Sequence, residues 1–248
     1  MAVQNWTSLA VYVGGYNLAC RAKGFTAPEP SVAELDTTSL CDTWTTRIGG
    51  LKSATWTADV MQDFDTNQVD QLLGVSNLGV SSPLSIAPAG TTAGSVAYTF
   101  RATQFAYSPL SATAGDLAMA TVSGMGSDSP VVRGTLMNAP GTSVTSSGNG
   151  AAQQVGAVAS GQKMYAALHV LSSSGTLPTL DVKVQSDDSG AFSSATDRIT
   201  FSQATGITSE WSSVAGAVTD DYWRISYTLG GSGTPTFAFA VVIGIAAA

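Results

Sequence analysis

Charged side chains are scarce in this sequence. Asp, Glu, Lys and Arg make up 11% of its 248 residues, and 17 acids against 10 bases give a net charge of −7. The sequence has no run of basic residues that would neutralise phosphates, so direct nucleic-acid binding is not expected. Because so few charges would leave a free monomer poorly solvated, the composition favours a subunit that packs against copies of itself.

Histidine is almost absent, which excludes the usual nucleophilic triads. The single histidine, His169, lies in KMYAALHVL, a predicted strand that is apolar on both faces. No acid or hydroxyl nucleophile stands beside it on its face, so we interpret it as a core or interface histidine. No GxSxG, P-loop or GxGxxG motif occurs. We therefore predict no catalytic residue, no cofactor site and no enzymatic activity.

Cysteines and long apolar runs are also few. Cys20 and Cys41 cannot hold a metal by themselves, and we expect two free thiols, with a disulfide as the alternative. The first residues lack the basic start and apolar core of a signal peptide. The final FAFAVVIGIAAA is apolar for twelve residues, fewer than the ~20 that span a bilayer. It predicts a buried strand, and we expect no membrane insertion.

Adjacent acids occur twice, at Asp187-Asp188 and Asp220-Asp221. Each pair lies at a strand end, where Asp favours turn geometry. A weak Ca²⁺ or ligand site is the alternative. Neither pair predicts a metal site.

The first half has the pattern of β-strands with one short helix. Residues 55–64 alternate, with Trp56 and Val60 on one face and Asp59 and Asp63 on the other. Asp65-Thr66 predicts the N-cap of a helix over residues 67–73, which Gly74 ends. The Gly49-Gly50 pair predicts a break between two strands.

Prolines and glycines suggest further connections along the chain. Pro28 and Pro30 predict an exposed connection, and GGSGT at 230–234 predicts a hairpin loop. The segment NAPGTSVTSSGNG at 138–150 has the composition of a linker. After it, short strands separated by turns predict a β-sandwich.

The predicted fold class is mainly β, with two domains. Residues 1–140 form the first, with one short helix; residues 141–155 form a Gly/Ser/Thr-rich linker; residues 156–248 form a C-terminal β-sandwich. In that sandwich Trp211, Tyr222 and Trp223 are available for weak stacking on sugar rings, although core packing is the favoured interpretation of Trp223.

The order of motifs between Val32 and Phe64 resembles the tail tube proteins of long-tailed (siphovirus-type) phages. It reads ELDTTSL at 34–40, then IGGLK at 48–52, then an alternating strand that ends in Asp-Phe, and a short helix follows. The resemblance extends over residues 11–137. The second half, with ALHV, LDVKVQ and DRITF, resembles a sandwich found in actinophage-type virion proteins.

The resemblance implies a structural virion protein that forms hexameric rings. Stacked rings would build a tube with an inner β-barrel, through which DNA passes without specific binding, and the C-terminal sandwich would decorate the outside. The implied partners are further copies and other tail proteins (tape measure, terminator and distal tail). The implied location is the virion tail, and the host cytoplasm during assembly.

The resemblance also implies roles for individual residues. Leu40, Trp44 and Arg47 in the loop after the Leu-Asp strand, together with Trp6 in the N-terminal arm, would contact neighbouring subunits or rings. Asp59 and Asp63 are the acids that we expect to face the lumen.

Two other interpretations stay open. The chain could be a carbohydrate-binding or adhesive β-sandwich protein that forms no tube, or another virion component such as a capsid decoration or minor tail protein. In a tube, the exposed sandwich would bind host-surface glycans weakly through many copies.

Overall fold

The computed structural model describes residues 9–19, 21–111, 113, 115–138 and 140–248. The fold is mainly β. Its strands are β1 Ala10–Val13, β2 Tyr16–Asn17, β3 Ala22–Asp36, β4 Arg47–Met61, β5 Ser81–Ala87, β6 Val96–Ser108, β7 Met119–Gly126, β8 Val132–Leu136, β9 Gly148–Asn149, β10 Gln153–Gln154, β11 Gln162–Asp187, β12 Thr196–Thr200, β13 Thr208–Ala215 and β14 Tyr222–Ala247. Helix α1 spans Val69–Leu73, and a 3₁₀ turn, Val75–Asn77, follows it.

The first half folds one curled sheet into two facing layers. Layer 1 contains β3, β4, β7 and the end of β6, and layer 2 contains β2, β1, β5, the start of β6 and β8. The sheet bends within β6, which pairs with β8 near its start and with β7 near its end. Trp56 and Phe100 are the largest almost fully buried side chains in the core between the layers, and α1 contributes Val69 and Leu73.

The second half is built on one long ribbon that folds back on itself. Strands β11 and β14, each 26 residues long, pair from Gln162↔Ala247 to Asp187↔Tyr222. The ribbon has register shifts and exposed residues around 174–179 and 230–236. Residues from both halves of each strand share one core, so the ribbon bends there and packs its halves face to face. With β13 on one half and β12 on the other, these are layers 3 and 4.

Layer 3 is covered on both sides. Met164, Val241 and Ile243 face layer 4, while Ala240 and Val242 on the opposite face of β14 pack against layer 2. The partners in layer 2 include Ala10, Tyr12 and Leu136. A strand that is buried on both faces has no polar alternation. This explains the continuous apolar run near the C-terminus, which was predicted to be a buried strand.

His169 lies in this junction between the two halves and is fully buried. Its Nδ1 lies 2.7 Å from the carbonyl oxygen of Gly14, which can only accept, so Nδ1 carries the proton. Nε2, 2.8 Å from Ser85 Oγ, therefore accepts from that hydroxyl. Burial lowers the pKa of His169 to about 4. The histidine is a neutral hydrogen-bonded link between layers 2 and 3, in agreement with its interpretation as a core or interface residue.

Several predicted strand breaks are wrong. Gly49 and Gly50 lie inside β4, and a side chain at Gly50 would come 3.1 Å from Leu35 Cδ1, so glycine there makes room for its cross-strand neighbour. Pro28 and Pro30 lie inside β3 rather than in a connection. Among the described residues β3 pairs only with β4 and has register shifts near both prolines, and an edge strand tolerates a residue without N–H.

Two other segments also differ from the prediction. The GGSGT segment does not close a hairpin, because β14 continues through it opposite residues 176–179 of β11. Helix α1 begins at Val69, and its N-cap residue is Gln68, which makes no side-chain capping bond. The short helix itself is confirmed.

The segment predicted to be a linker lies along β14. Val144 bridges Phe237, and Asn149 pairs with Ser226. At the start of residues 138–150, Asn138 Nδ2 donates to the Phe239 carbonyl at 2.6 Å, and its Oδ1 accepts from Val241 N at 2.8 Å. These bonds place Asn138, Val144 and Asn149 on the second half. The division into two domains at this point stays a prediction.

Candidate assembly surface

The most exposed regular structure is the outer part of the β3–β4 hairpin. Strand β4 pairs with β7 only from Thr55 onward, so residues 31–53 pair with nothing but each other among the described residues. Within this segment, which we call the arm, all residues are exposed except Gly50, which is intermediate. The arm is a two-stranded ribbon that packs on no other element within the described part of the chain.

The arm carries large apolar side chains that have no core to enter. Leu35 and Ile48 are cross-strand partners on one face, and the Glu34–Arg47 ion pair occupies the other. Trp44 is 84% exposed and Leu51 is 87% exposed. The exposed apolar residues of the arm are Val32, Leu35, Leu40, Trp44, Ile48 and Leu51. So many large, exposed apolar side chains on one short ribbon indicate a candidate interaction site.

The tip of the arm, residues 36–46, is ordered by its own polar groups. Asp36 Oδ1 accepts from Thr38 N at 2.8 Å, and Asp42 Oδ2 accepts from Ser39 N at 2.7 Å. Hydrogen bonds from Thr38 and Ser39 lower the pKa of these two carboxyls. Thr37 Oγ1 also donates to the Thr46 carbonyl across the loop. The tip is therefore a negatively charged loop whose conformation is fixed by hydrogen bonds and in which Leu40 and Trp44 are exposed to solvent.

Three of the four predicted subunit contacts come together on the arm. Leu40 and Trp44 lie in the tip, and Arg47 lies at its base, paired with Glu34. Trp6 lies outside the described residues. The sequence motif located the tip but not the length of the arm, because the prediction broke the hairpin at Gly49-Gly50. The other apolar residues of the arm were therefore missed, and their alternation with charged residues was the available signal. They are Val32, Leu35, Ile48 and Leu51.

The outer face of layer 1 is open and rich in hydroxyl groups. Asp59 lies on it and accepts from Thr121 Oγ1 at 2.7 Å, and the cross-strand pair Thr57 and Ser123 continues the face. Asp63 does not share this environment. It lies beyond the end of β4 and pairs with Arg21 at 2.9 Å. The prediction that Asp59 and Asp63 share one strand face is wrong, because the strand ends at Met61.

The three aromatic residues proposed for glycan stacking do not form one platform. Trp223 is fully buried in the core between layers 3 and 4, and its Nε1 donates to the Gly156 carbonyl at 2.9 Å. It cannot stack on a sugar, so its weaker glycan role is wrong and the favoured core role of Trp223 is confirmed. Trp211 packs against Tyr165 with ring centroids 5.6 Å apart, and Tyr222 lies next to Gly190. Both are partly exposed.

The adjacent acids act in local structure. Asp187 Oδ2 accepts from Ser194 N, and Asp220 Oδ2 accepts from Arg198 at 2.9 Å. Within the described residues, no group of three or more His, Cys, Asp or Glu side chains could hold a metal ion. In the same part of the chain, no helix has the length and apolar character needed to cross a membrane.

Comparisons with known proteins give matches to solved structures only. No family model and no curated protein matches the sequence. A chain from the virion of a native gene transfer agent particle is 14% identical with a TM-score of 0.42, and the match covers 53% of this chain and 98% of that one. A chain from the extended sheath–tube complex of an extracellular contractile injection system is 13% identical with a TM-score of 0.42, covering 53% and 92%.

A third match covers nearly the whole chain. It is the Dit protein of phage SPP1, described as a paradigm of the hub adsorption apparatus of phages that infect Gram-positive bacteria. The identity is 10% and the TM-score 0.35, over 96% of this chain and 99% of that one. Since every identity is below 15% and every TM-score below 0.5 in these three matches, we draw no functional conclusion from them.

Proposed function

We propose that this chain is a structural subunit of a phage-type tail tube. The observation that carries the proposal is the arm, an ordered ribbon whose apolar side chains find no partner within the described chain. A two-stranded ribbon alone is only marginally stable in water. A second copy that covers the arm removes both its exposed apolar area and its open strand edge.

The order of the layers supports a tube with a distinct inside and outside. Layer 1 has an open outer face with Asp59 among hydroxyl groups, and layers 3 and 4 lie on the other side of layer 2. In a ring of six subunits, layer 1 lines the lumen and layers 3 and 4 lie outside. The carboxylate of Asp59 on this hydroxyl-rich wall repels DNA phosphates, so DNA slides through.

In this proposal the arm of one subunit contacts a different surface on the next subunit, so the contact is heterologous. Such contacts either close into a ring or continue as an open stack. The tube is part of the virion tail, assembled in the host cytoplasm, and its ends meet the other tail proteins. The glycan-binding alternative is not favoured. The three aromatic residues proposed for sugar stacking form no common platform, and Trp223 is buried.

Electron microscopy of the purified full-length protein tests the proposal. We expect rings or hollow tubes with six-fold symmetry at high concentration, and loss of both in the Leu40→Ala/Trp44→Ala double variant. The unfolding transition of that variant should match the parent, because both side chains are exposed. A strictly monomeric protein at millimolar concentration contradicts the proposal.

A further inference from the structure

A large groove opens at the base of the arm. Its volume is about 1140 Å³. It lies at the start of β1, and α1 lies near Val13, at the opposite end of this strand. Its walls come from the arm base, from layer 2 and from the second half of the chain. The apolar wall includes Phe25, Pro28, Leu51, Ile86, Tyr98 and Tyr165.

The groove is basic in a chain that is acidic overall. Lys52, Arg133 and Lys163 line it, against one acidic side chain, Asp128. These are three of the chain's ten Lys and Arg residues. Among the described residues, no carboxylate lies within 4.0 Å of these three cations, whereas five other basic side chains are in ion pairs. The groove therefore combines apolar walls with unpaired positive charge.

The tip of the arm has the complementary character. Residues 36–46 contain two acids, Asp36 and Asp42, and no Lys or Arg. Between the acids, Leu40 stands in solvent, and Trp44 follows. An acidic loop with a large exposed aromatic side chain is the kind of ligand that an apolar, basic groove accepts.

The tip cannot reach the groove of its own chain. The groove is lined by the base of the arm, including Ser31 and Lys52, and the tip begins at Asp36. Four residue steps along β3 separate Asp36 from Val32, which also lines the groove, or about 13 Å at ~3.3 Å per residue. The paired ribbon holds the tip at that distance from its own groove, so the fitting occupant is the tip of another copy.

We infer that the arm tip of one copy docks in the groove at the base of the arm of the next copy. Trp44 and Leu40 enter between the apolar walls, and Asp36 and Asp42 face the cations at the rim. The inference rests on the proposed function and adds its acceptor surface, to which the second half contributes Lys163 and Tyr165. Each copy then carries one donor and one acceptor, so the contact repeats from copy to copy.

Cys41, next to Leu40 in the tip, is a free and exposed thiol, so it can serve as a natural cross-linking site. Ser53 lines the groove and is exposed, so Ser53→Cys places a second thiol in the acceptor. In full-length protein with Cys20→Ser, mild oxidation of the Ser53→Cys variant should give a ladder of disulfide-linked multimers. Mass spectrometry should identify a disulfide that joins Cys41 of one copy to the introduced thiol of another. The matched control, Ser193→Cys at an exposed site outside the groove, should give no ladder.

The charge of the groove is tested separately. Arg133→Gln with Lys163→Gln should raise the concentration needed for assembly about tenfold or more, and Lys23→Gln, an exposed cation outside the groove, should not. Urea unfolding of each variant shows that it is folded. Mixing the groove variant with Leu40→Ala/Trp44→Ala should give one-to-one pairs by mass photometry, because one intact donor then meets one intact acceptor.

The outcomes separate the inference from the proposed function. The groove inference is wrong, and the proposed function stands, if the parent forms rings or tubes but Ser53→Cys gives no ladder. The same holds if the introduced thiol links to another segment or within its own chain. If the groove variant assembles like the parent, the inference is likewise wrong. If the parent forms no oligomer at all, both the inference and the proposed function are wrong.

Discussion

The chain contains two long β-ribbons, one of which is packed in a core while the outer part of the other is exposed. The β11–β14 ribbon bends near its middle and packs its two halves together, so Trp223 and Phe239 are buried. The outer part of the β3–β4 ribbon packs on nothing within the described residues, so Trp44 and Leu51 are exposed. Both ribbons are rich in apolar residues. The comparison shows that what faces a ribbon, rather than its composition, decides whether it stabilises the fold or is left for a partner.

The largest expected effect is the difference in stability between two tryptophan substitutions, one in each ribbon. Trp223→Ala leaves a cavity between layers 3 and 4 and loses the bond from Nε1 to Gly156, so we expect it to destabilise folding by about 3–5 kcal/mol. Trp44→Ala removes an exposed side chain and should change the free energy of unfolding by less than about 0.5 kcal/mol. Urea denaturation measures both. Equal losses of stability would show that the arm is packed within the monomer.

The junction between the halves should respond to pH through His169. Its pKa is lowered to about 4 by burial, against 6.5 in the unfolded chain, so the unfolded state binds more protons between these values. Stability from the neutral imidazole is complete above about pH 6.5 and falls as the pH drops toward 4, by about 3 kcal/mol. Tyr12, Ser85 and Ser209, its neighbours from layer 2 and β13, carry no charge in this range.

Urea unfolding at about pH 7, 5.5 and 4.5 measures this slope. The variant His169→Gln should be less stable than the parent at neutral pH and should lack the part of the slope that the imidazole causes. An identical pH dependence in parent and variant would mean that His169 does not titrate between the two states as its burial implies.

The smallest effect concerns the charged face of the arm. Arg47 and Glu34 form an ion pair in which both side chains are more than half exposed. Such pairs contribute about 0–1 kcal/mol. Arg47→Ala should therefore leave the unfolding midpoint nearly unchanged, whereas Arg198→Ala, which breaks a largely buried pair with Asp220, should lower it measurably. A large loss in Arg47→Ala would indicate that the ribbon depends on this pair to hold its shape.

The sequence predicted several short-range features of the fold correctly. The alternation around Trp56 and Val60 identified β4, and a short helix near residue 70 is present. The apolar segment around His169 identified a strand buried on both faces. These features depend on periodicity and local propensity, which a single sequence carries.

The errors have one physical origin. Gly49-Gly50, Pro28 and GGSGT were each interpreted as breaks, yet the strands continue through them because a partner strand supplies the hydrogen bonds. Residues of the segment with linker composition also pair with β14, and its role between two domains stays a prediction. Local propensity does not reveal the partner strand, and pairing overrides it.

By itself, the sequence determined that this protein is mainly β and that the loop with Leu40 and Trp44 stands apart from the alternating strands. Only the tertiary structure decided which apolar residues are core and which are surface. Trp223 and Trp44 both occur beside polar residues in the sequence, but one lies between two layers and the other at the tip of an unsupported ribbon. Burial depends on what packs against a strand from distant parts of the chain, and that is a property of the assembled layers.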